Sequence, residues 1–225
     1  HFMHIGKTGG MAIKDAFQKK GNITGNIGVF SNYVTIMHSH DFKFHHLKED
    51  EYIFFVVRDP VSKYVSAFYS RYREGRPRLY NPWKSKEKIA FERFKTPNIL
   101  AEALSSDNAE EKQAAENAMQ NIGHVSSNYW KWVNGREYLE SNLTKIAYVM
   151  KQESLSNDFE NFKEKFMING VPHLTKENVK SHRTPETFDK HLSEKAIINL
   201  KKWYSGDYDF LDFLYSKNII DHKYE

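Results

Sequence analysis

A glycine-rich loop near the start of the chain constrains the fold more than any other feature. The apolar segment Phe2 to Ile5 predicts a buried strand, and the loop 6–10 (Gly-Lys-Thr-Gly-Gly) follows it directly. Ile13, Ala16 and Phe17 then recur at helical spacing. A glycine loop between a strand and a helix points backbone N–H groups at one place, where the helix dipole also favours negative charge. This order predicts a site for a phosphate-like anion; the alternative is a tight turn with a solvated lysine. The lysine comes too early for an ordinary ATP or GTP loop.

Three further apolar segments lie at Val34 to Met37, Ile53 to Val57 and Ile146 to Met150. Continuous apolar runs separated by helical stretches indicate parallel strands covered on both faces, which is an α/β layered fold. The 225 residues fit one domain. Alanine, glutamate and glutamine are frequent from Pro97 to Asn121, which predicts exposed helices within a helical insertion at about 73–145.

Composition excludes several kinds of site. The chain has no cysteine, so it has no disulfide, no thiolate metal ligand and no cysteine nucleophile. The net charge of +4 is too small to indicate nucleic-acid binding, and we expect none. No apolar run approaches the ~18–20 residues that cross a bilayer, so we expect no membrane segment. We expect a cytoplasmic location, unless a leader or anchor has been removed upstream.

A second candidate anion site follows the apolar segment that ends at Val57. Arg58 stands where a parallel sheet has its carboxyl edge, the place where ligands of open α/β sheets bind. Arginine binds phosphate through two parallel donors. Asp59 and Pro60 predict the start of a helix, and Ser66 on its polar face adds a hydroxyl donor. The alternative is a structural ion pair of Arg58 with Asp59 or at the helix end.

Together, the two motifs resemble those of the sulfotransferases that use 3′-phosphoadenosine 5′-phosphosulfate (PAPS). Residues 4–10 (His-Ile-Gly-Lys-Thr-Gly-Gly) are similar to the family's 5′-phosphosulfate loop, H-I-P-K-T-G-G. Residues 58–69 are similar to its 3′-phosphate motif, R-D-P-x-x-R-x-x-S-x-Y. Gly6 replaces the usual proline, Met11 stands where many members have Thr or Ser, and Lys63 replaces the second arginine.

The resemblance implies one sulfotransferase domain over residues 1–225, with a P-loop-like three-layer fold in which helices flank a central parallel sheet. It implies PAPS as co-substrate, adenosine 3′,5′-bisphosphate (PAP) as product, no metal requirement, and a hydroxyl of a carbohydrate as acceptor. Residues 181–184 (Ser-His-Arg-Thr) resemble the late loop that covers the nucleotide, especially in the heparan sulfate 2-O-sulfotransferase branch. The residues implied to bind PAPS are Gly6, Lys7, Thr8, Gly9, Gly10, Met11, Arg58, Ser66, Ser181 and Arg183. Lys7 is also implied to neutralise charge on the leaving oxygen.

Two histidines, His38 and His40, follow the second apolar segment, where strand alternation predicts both on one face. Histidine, with a reference pKa of about 6.5, is suited to taking the proton of an acceptor hydroxyl. The sequence His-Ser-His resembles the His-Gly-His of the 2-O-sulfotransferase branch, which implies His40 as the base and His38 as its neighbour. The alternatives are a solvated strand end or a zinc pair, for which no third ligand stands at a recognisable spacing.

The segment 71–95 carries nine Lys or Arg residues against three acids, with Tyr72, Tyr80 and Trp83 among them. Such a surface suits an acidic sugar chain on the acceptor side; a solvated helix face and RNA binding are the alternatives. Two other functions stay open at this stage. One is a P-loop kinase in which Lys7 and Thr8 hold ATP and Asp59 holds magnesium. The other is a non-catalytic module that binds anionic polysaccharide or RNA.

Overall fold

The computed structural model describes residues 1–18, 23–24, 27–30, 33–77, 79–174, 185 and 187–224. The chain divides into two compact units. The first unit comprises residues 1–58, 129–183 and 210–225, and the second comprises residues 59–128 and 184–209.

The strands that the structure describes belong to the first unit, and its helices are distributed over both units. The described strands are β1 (Phe2–Met3), β2 (Ile23–Thr24), β3 (Ile27–Phe30), β4 (Tyr33–Ile36), β5 (Ile53–Val57) and β6 (Ile146–Lys151). The described α-helices are α1 (Gly10–Gln18), α2 (Pro60–Tyr72), α3 (Ser85–Arg93), α4 (Pro97–Ala103), α5 (Ala109–Asn121), α6 (Arg136–Ser141), α7 (Leu155–Lys165), α8 (Glu194–Trp203) and α9 (Ser205–Ser216). Short 3-10 helices lie at Phe44–His46, Leu143–Lys145 and Gln152–Ser154.

A parallel sheet with the strand order β1-β5-β6 forms the centre of the first unit. All five residues of β5 are buried, as expected for a strand covered on both faces. The apolar stripes of α1 and α7 pack in one cluster with the sheet; Phe17 and Phe159, for example, are both fully buried. This arrangement confirms the α/β fold with a central parallel sheet flanked by helices.

The second predicted strand does not join this sheet, so that part of the prediction was wrong. β4 pairs antiparallel with β3 in a separate sheet of order β2-β3-β4, and Val34 is 60% exposed. Among the described residues of this segment, Met37, just past β4, makes an isolated parallel bridge with Phe2. The apolar run predicted a strand correctly here, but such a run carries no information about the partner strand.

The second unit is helical around its own core. Asp59 caps α2 as predicted: its Oδ1 accepts from the N–H of Ser62 at 2.7 Å, and Pro60 occupies the first turn. The helices α4 and α5, predicted to be exposed, are buried on one side through residues such as Leu100 and Ala115. Their small alanines allow close helix packing, which a search for large apolar residues overlooks. The insertion predicted at 73–145 contains α3 to α6 and stays a prediction.

Among the described residues, no helix has the length and apolar character needed to cross a membrane.

Candidate functional site

The first unit brings the two predicted anion-binding motifs into direct contact. β1 and β5 are adjacent and parallel, so the glycine loop and Arg58 both leave the sheet at its carboxyl edge. Arg58 Nη1 donates a hydrogen bond to the Lys7 carbonyl oxygen at 3.2 Å, although the two residues are 51 positions apart. Arg58 and Lys7, the cationic residues of the two motifs, therefore lie at one edge of the sheet.

The glycine loop adopts a backbone that its sequence makes possible. Lys7 has φ +67° and Gly9 has φ +99°, both in the left-handed region that glycine enters most easily. A Cβ on Gly9 would lie 2.9 Å from Leu155 Cδ2, and a Cβ on Gly10 would lie 2.5 Å from His4 Cδ2. Close packing requires both glycines. A non-glycine residue held at positive φ, such as Lys7, is the kind of strain that is common at functional sites.

The start of α1 is electrostatically suited to an anion. The helix begins at Gly10 and has no acidic residue in its own first turn, so the helix itself places no carboxylate at the positive end of its dipole. Thr8 is only 1% exposed, and its hydroxyl donates to the Ile5 carbonyl at 3.0 Å. A contact of Thr8 with a ligand would therefore use its backbone N–H. Gly6 is buried as well, whereas the side chain of Met11 is exposed.

His40 lies against His4, two residues before the glycine loop. Its Nδ1 is 2.8 Å from the His4 carbonyl oxygen, and the two imidazole rings have centroids 4.2 Å apart. A carbonyl oxygen can only accept, so Nδ1 carries the proton and the basic lone pair of the neutral ring is on Nε2. The contact thus selects the tautomer that a general base needs.

The surroundings of His40 keep it neutral. Burial of part of the ring is the main cause that lowers its pKa, and the hydrogen bond to His4 opposes this. The positive charge of Lys14 lowers the pKa further, Asp41 raises it, and Lys43 lowers it. The net pKa lies below the ordinary histidine value, so at neutral pH the ring can accept a proton.

His38 has different neighbours. Its Nε2 lies 2.8 Å from His1 Nδ1, its ring stacks on Phe42 at 3.7 Å, and its pKa is lowered to about 4, mainly by burial. Because β4 ends at Ile36, strand alternation does not extend to residues 38–40. Within the described ranges, no group of three or more His, Asp or Glu residues is placed to hold a metal ion.

Sequence reasoning missed Lys14, a half-buried residue of α1. Its positive charge acts on both His38 and His40, and burial lowers its own pKa. Lys14 stands four residues after Gly10, which packs on His4, so helical spacing places it on that side of α1. That spacing was visible in the sequence, but nothing in it marked the lysine as different from a solvated one.

The remaining predicted ligands fall into two groups. Ser66 is a partly buried residue of α2 in the second unit. Ser181 and Arg183 lie outside the described residues. Lys63, which replaces the family's second arginine, is 1% exposed and forms an ion pair with Asp207 at 2.7 Å. The charge of Lys63 is therefore neutralised by Asp207 within the second unit.

Asp59 also has a structural role. Oδ1 caps α2, and Oδ2 accepts from the Tyr208 hydroxyl at 2.9 Å. The carboxylate that a kinase would need for magnesium therefore accepts hydrogen bonds at both oxygens, which disfavours the kinase alternative.

The basic segment 71–95 lies in the second unit and is less uniform than its sequence indicates. Arg71 is buried and pairs with Glu87 through two contacts of 2.6 and 2.7 Å, so it does not contribute to a charged surface. Beside it, an open cleft of ≈ 450 Å³ is lined by Tyr72, Arg73, Glu74, Arg76, Pro77 and Trp83. The Arg76 guanidinium lies over the Tyr80 ring at 4.2 Å. Arg78 lies outside the described residues.

A parallel α/β sheet with a glycine loop, a helix start and an arginine at its carboxyl edge defines a class of fold that binds phosphate-like groups. The model of the Sulfotransferase family matches residues 5–215, so the chain belongs to this family and is a transferase of sulfuryl groups. No curated protein and no solved structure matches the chain.

Proposed function

We propose that this sulfotransferase moves the sulfuryl group of PAPS to a hydroxyl of a carbohydrate and that His40 takes the hydroxyl proton. The observation that carries the proposal is the contact of Arg58 with Lys7. It joins the motif expected for the 3′-phosphate to the motif expected for the 5′-phosphosulfate.

The residues present fit such a donor. The N–H groups at the start of α1 and Lys7 would hold the 5′-phosphosulfate, and Arg58 would hold the 3′-phosphate. The roles of Ser66, Ser181 and Arg183 rest on sequence motifs alone. PAPS supplies a sulfuryl group whose S–O bond to phosphate breaks as a new S–O bond to the acceptor oxygen forms.

The chain's own residues supply the proton transfer and the charge. His40 Nε2 takes the acceptor proton, while Nδ1–H stays bonded to the His4 carbonyl and helps to hold the ring in place. Lys7 would neutralise the negative charge that the bridging oxygen lacks in PAPS and develops on the departing phosphate as the S–O bond breaks.

The cleft of the second unit supports an acidic carbohydrate as acceptor. Arg73 and Arg76 supply positive charge, and Tyr72 and Trp83 supply apolar faces on which a sugar ring can pack. Arg76→Ala should raise the acceptor KM by about two- to fivefold, the range of an exposed charge pair, with little change in kcat. Lys112→Ala, an exposed cation of the same unit, is the control.

Nucleotide binding measured by thermal shift tests the proposal. PAP should bind far more tightly than 5′-AMP, and a ligand at 100 times its Kd stabilises by about 2.7 kcal/mol. Arg58→Ala should weaken PAP by about ten- to a hundredfold, since a charge-assisted hydrogen bond contributes ~1.5–3 kcal/mol. Arg136→Ala, an exposed arginine of the same unit, should leave PAP binding unchanged.

Equal affinity for PAP and AMP would contradict the proposal. Phosphoryl transfer from ATP that EDTA abolishes would establish the kinase alternative. Tight binding of a polysaccharide without nucleotide and without transfer would establish the binding module.

A further inference from the structure

One buried hydroxyl binds both backbone polar groups of Arg58. The N–H of Arg58 donates to Tyr129 Oη at 2.9 Å, and Tyr129 Oη donates to the carbonyl oxygen of Arg58 at 2.7 Å. Tyr129 is 0% exposed, and its ring stacks on Phe210 at 5.1 Å with an interplanar angle of 21°. All three residues belong to the first unit.

The position of Arg58 explains why such a partner is needed. β5 ends at Val57, whose register partner Lys151 is the last in that strand pair, so the sheet ladder stops just before Arg58. A backbone N–H and C=O that leave a ladder in a partly buried place must find other partners. The phenol supplies a donor and an acceptor from one oxygen atom.

We propose that Tyr129 is a positioning residue for Arg58. It thereby sets the preference of the site for nucleotides that carry a 3′-phosphate over nucleotides that lack one. Fixing the N–H and the carbonyl of one residue restricts both of its backbone dihedral angles and hence the direction of its Cα–Cβ bond. That direction aims the guanidinium at the Lys7 carbonyl, where the two motifs meet. The inference rests on the proposed function, because it assumes that Arg58 reads the 3′-phosphate.

The chain path supports a role beyond local packing. The first segment of the unit ends at Arg58, the second begins at Tyr129 and the third begins at Phe210. Three of the four residues at which the chain leaves or re-joins this unit are thus in contact with one another through one aromatic side chain. The direction of Arg58 depends on a residue 71 positions away in the sequence.

The test is Tyr129→Phe, which removes the hydroxyl and keeps the ring on Phe210. We expect the Kd for PAP to rise about tenfold and the Kd for 5′-AMP to change less than twofold, so that the preference for PAP falls about tenfold. Tyr204→Phe is the matched control, because it removes another buried hydroxyl that donates to a backbone carbonyl, that of Val125, at 2.8 Å. It should lower the melting temperature and leave the preference unchanged.

Arg58→Ala sets the second comparison. In that background, Tyr129→Phe should cause no further loss of preference, because the residue through which it acts is already gone. If Tyr129→Phe does not fold, Phe210→Leu serves instead: it loosens the ring without removing the hydroxyl, and the preference should fall about threefold.

The results separate the two levels of the argument. If the wild type prefers PAP and Tyr129→Phe weakens PAP and AMP equally or not at all, the positioning role is wrong and the proposed function stands. An unchanged preference in Phe210→Leu has the same meaning when Tyr129→Phe is not folded. If the wild type does not distinguish PAP from AMP, the proposed function fails and this inference fails with it.

Discussion

Replacing His40 tests the proposed chemistry most directly. A general base contributes about a hundred- to ten-thousandfold to a rate, so His40→Ala should lower turnover by that factor. In the wild type, His40 Nδ1 bonds to the His4 carbonyl at 2.8 Å. His40→Asn is the sharper variant, because the asparagine amide can still donate to this carbonyl, while the basic Nε2 is lost. A loss of two to four powers of ten corresponds to about 3–5.5 kcal/mol of activation free energy. The Kd for PAP should hardly change in either variant.

The pH dependence of kcat/KM tests the role of His40 as the base independently. Burial lowers the pKa of His40 below its ordinary value of 6.5, so the neutral, basic ring is present above that lowered pKa. Activity should therefore fall only on the acid side, through a limb centred below pH 6.5, and be level above it. The limb should be absent from the residual activity of His40→Asn.

His38→Ala is the matched control, and its effect on turnover should be milder. The pKa of His38 is lowered to about 4, mainly by burial, so an acid limb near pH 4 together with a larger loss in His38→Ala would reassign the base to His38. Turnover within threefold of wild type in both single variants would remove histidine from the mechanism, with Glu153 or Asp41 as the next candidates.

Three further predictions concern lysines with different roles. Lys7→Ala should lower turnover much more than it weakens PAPS binding, because the charge that Lys7 neutralises is absent from the bridging oxygen of bound PAPS and develops in the transition state. Single-turnover rates and PAPS titrations without acceptor check this, and wild-type turnover at saturating PAPS would contradict it. Lys14→Met should move the acid limb of kcat/KM upward towards pH 6.5, because the positive charge of Lys14 lowers the pKa of His40. NMR titration of the His40 imidazole measures this shift independently of activity, and Lys14→Arg is the control. An unchanged imidazole titration in Lys14→Met would refute the coupling. Lys63→Met should lower the free energy of unfolding, measured in urea, by ~3–5 kcal/mol, because it leaves the Asp207 carboxylate buried without its ion pair. The double variant Lys63→Met with Asp207→Leu should lose less stability. A loss under 1 kcal/mol in the single variant would contradict the buried pair.

Local signals in the sequence predicted much of the backbone structure around the candidate site. The glycine loop, the start of α1 and the capping of α2 by Asp59 each depend on residues within a few positions of one another, and the structure has them as predicted. The parallel pairing of β1 with β5 followed from continuous apolar runs. The shared edge that brings Arg58 to the loop follows from this pairing.

Long-range partners could not be predicted in this way. The sequence of β4 indicates a strand equally well for a parallel or an antiparallel sheet, and the antiparallel pairing with β3 was missed. Arg71 has the same chemistry as its exposed neighbours, and only the fold brings Glu87 against it and buries both. The family resemblance indicates that Lys63 substitutes for an arginine of the motif, whereas its partner in the structure, Asp207, is 144 positions away. The role of a charged side chain depends on the group that neutralises it, and the sequence alone does not identify that group.

The two residues that flank the segment 59–128 are joined by one side chain, because the Tyr129 hydroxyl makes two hydrogen bonds with the backbone of Arg58. The entropy of closing a loop grows slowly with its length, by about 0.6 kcal/mol for each doubling. As far as this closure entropy is concerned, the length of the segment between Arg58 and Tyr129 can change with little effect on the stability of the sheet. The distance between the two ends is set by the Tyr129 hydroxyl and not by the number of residues between them.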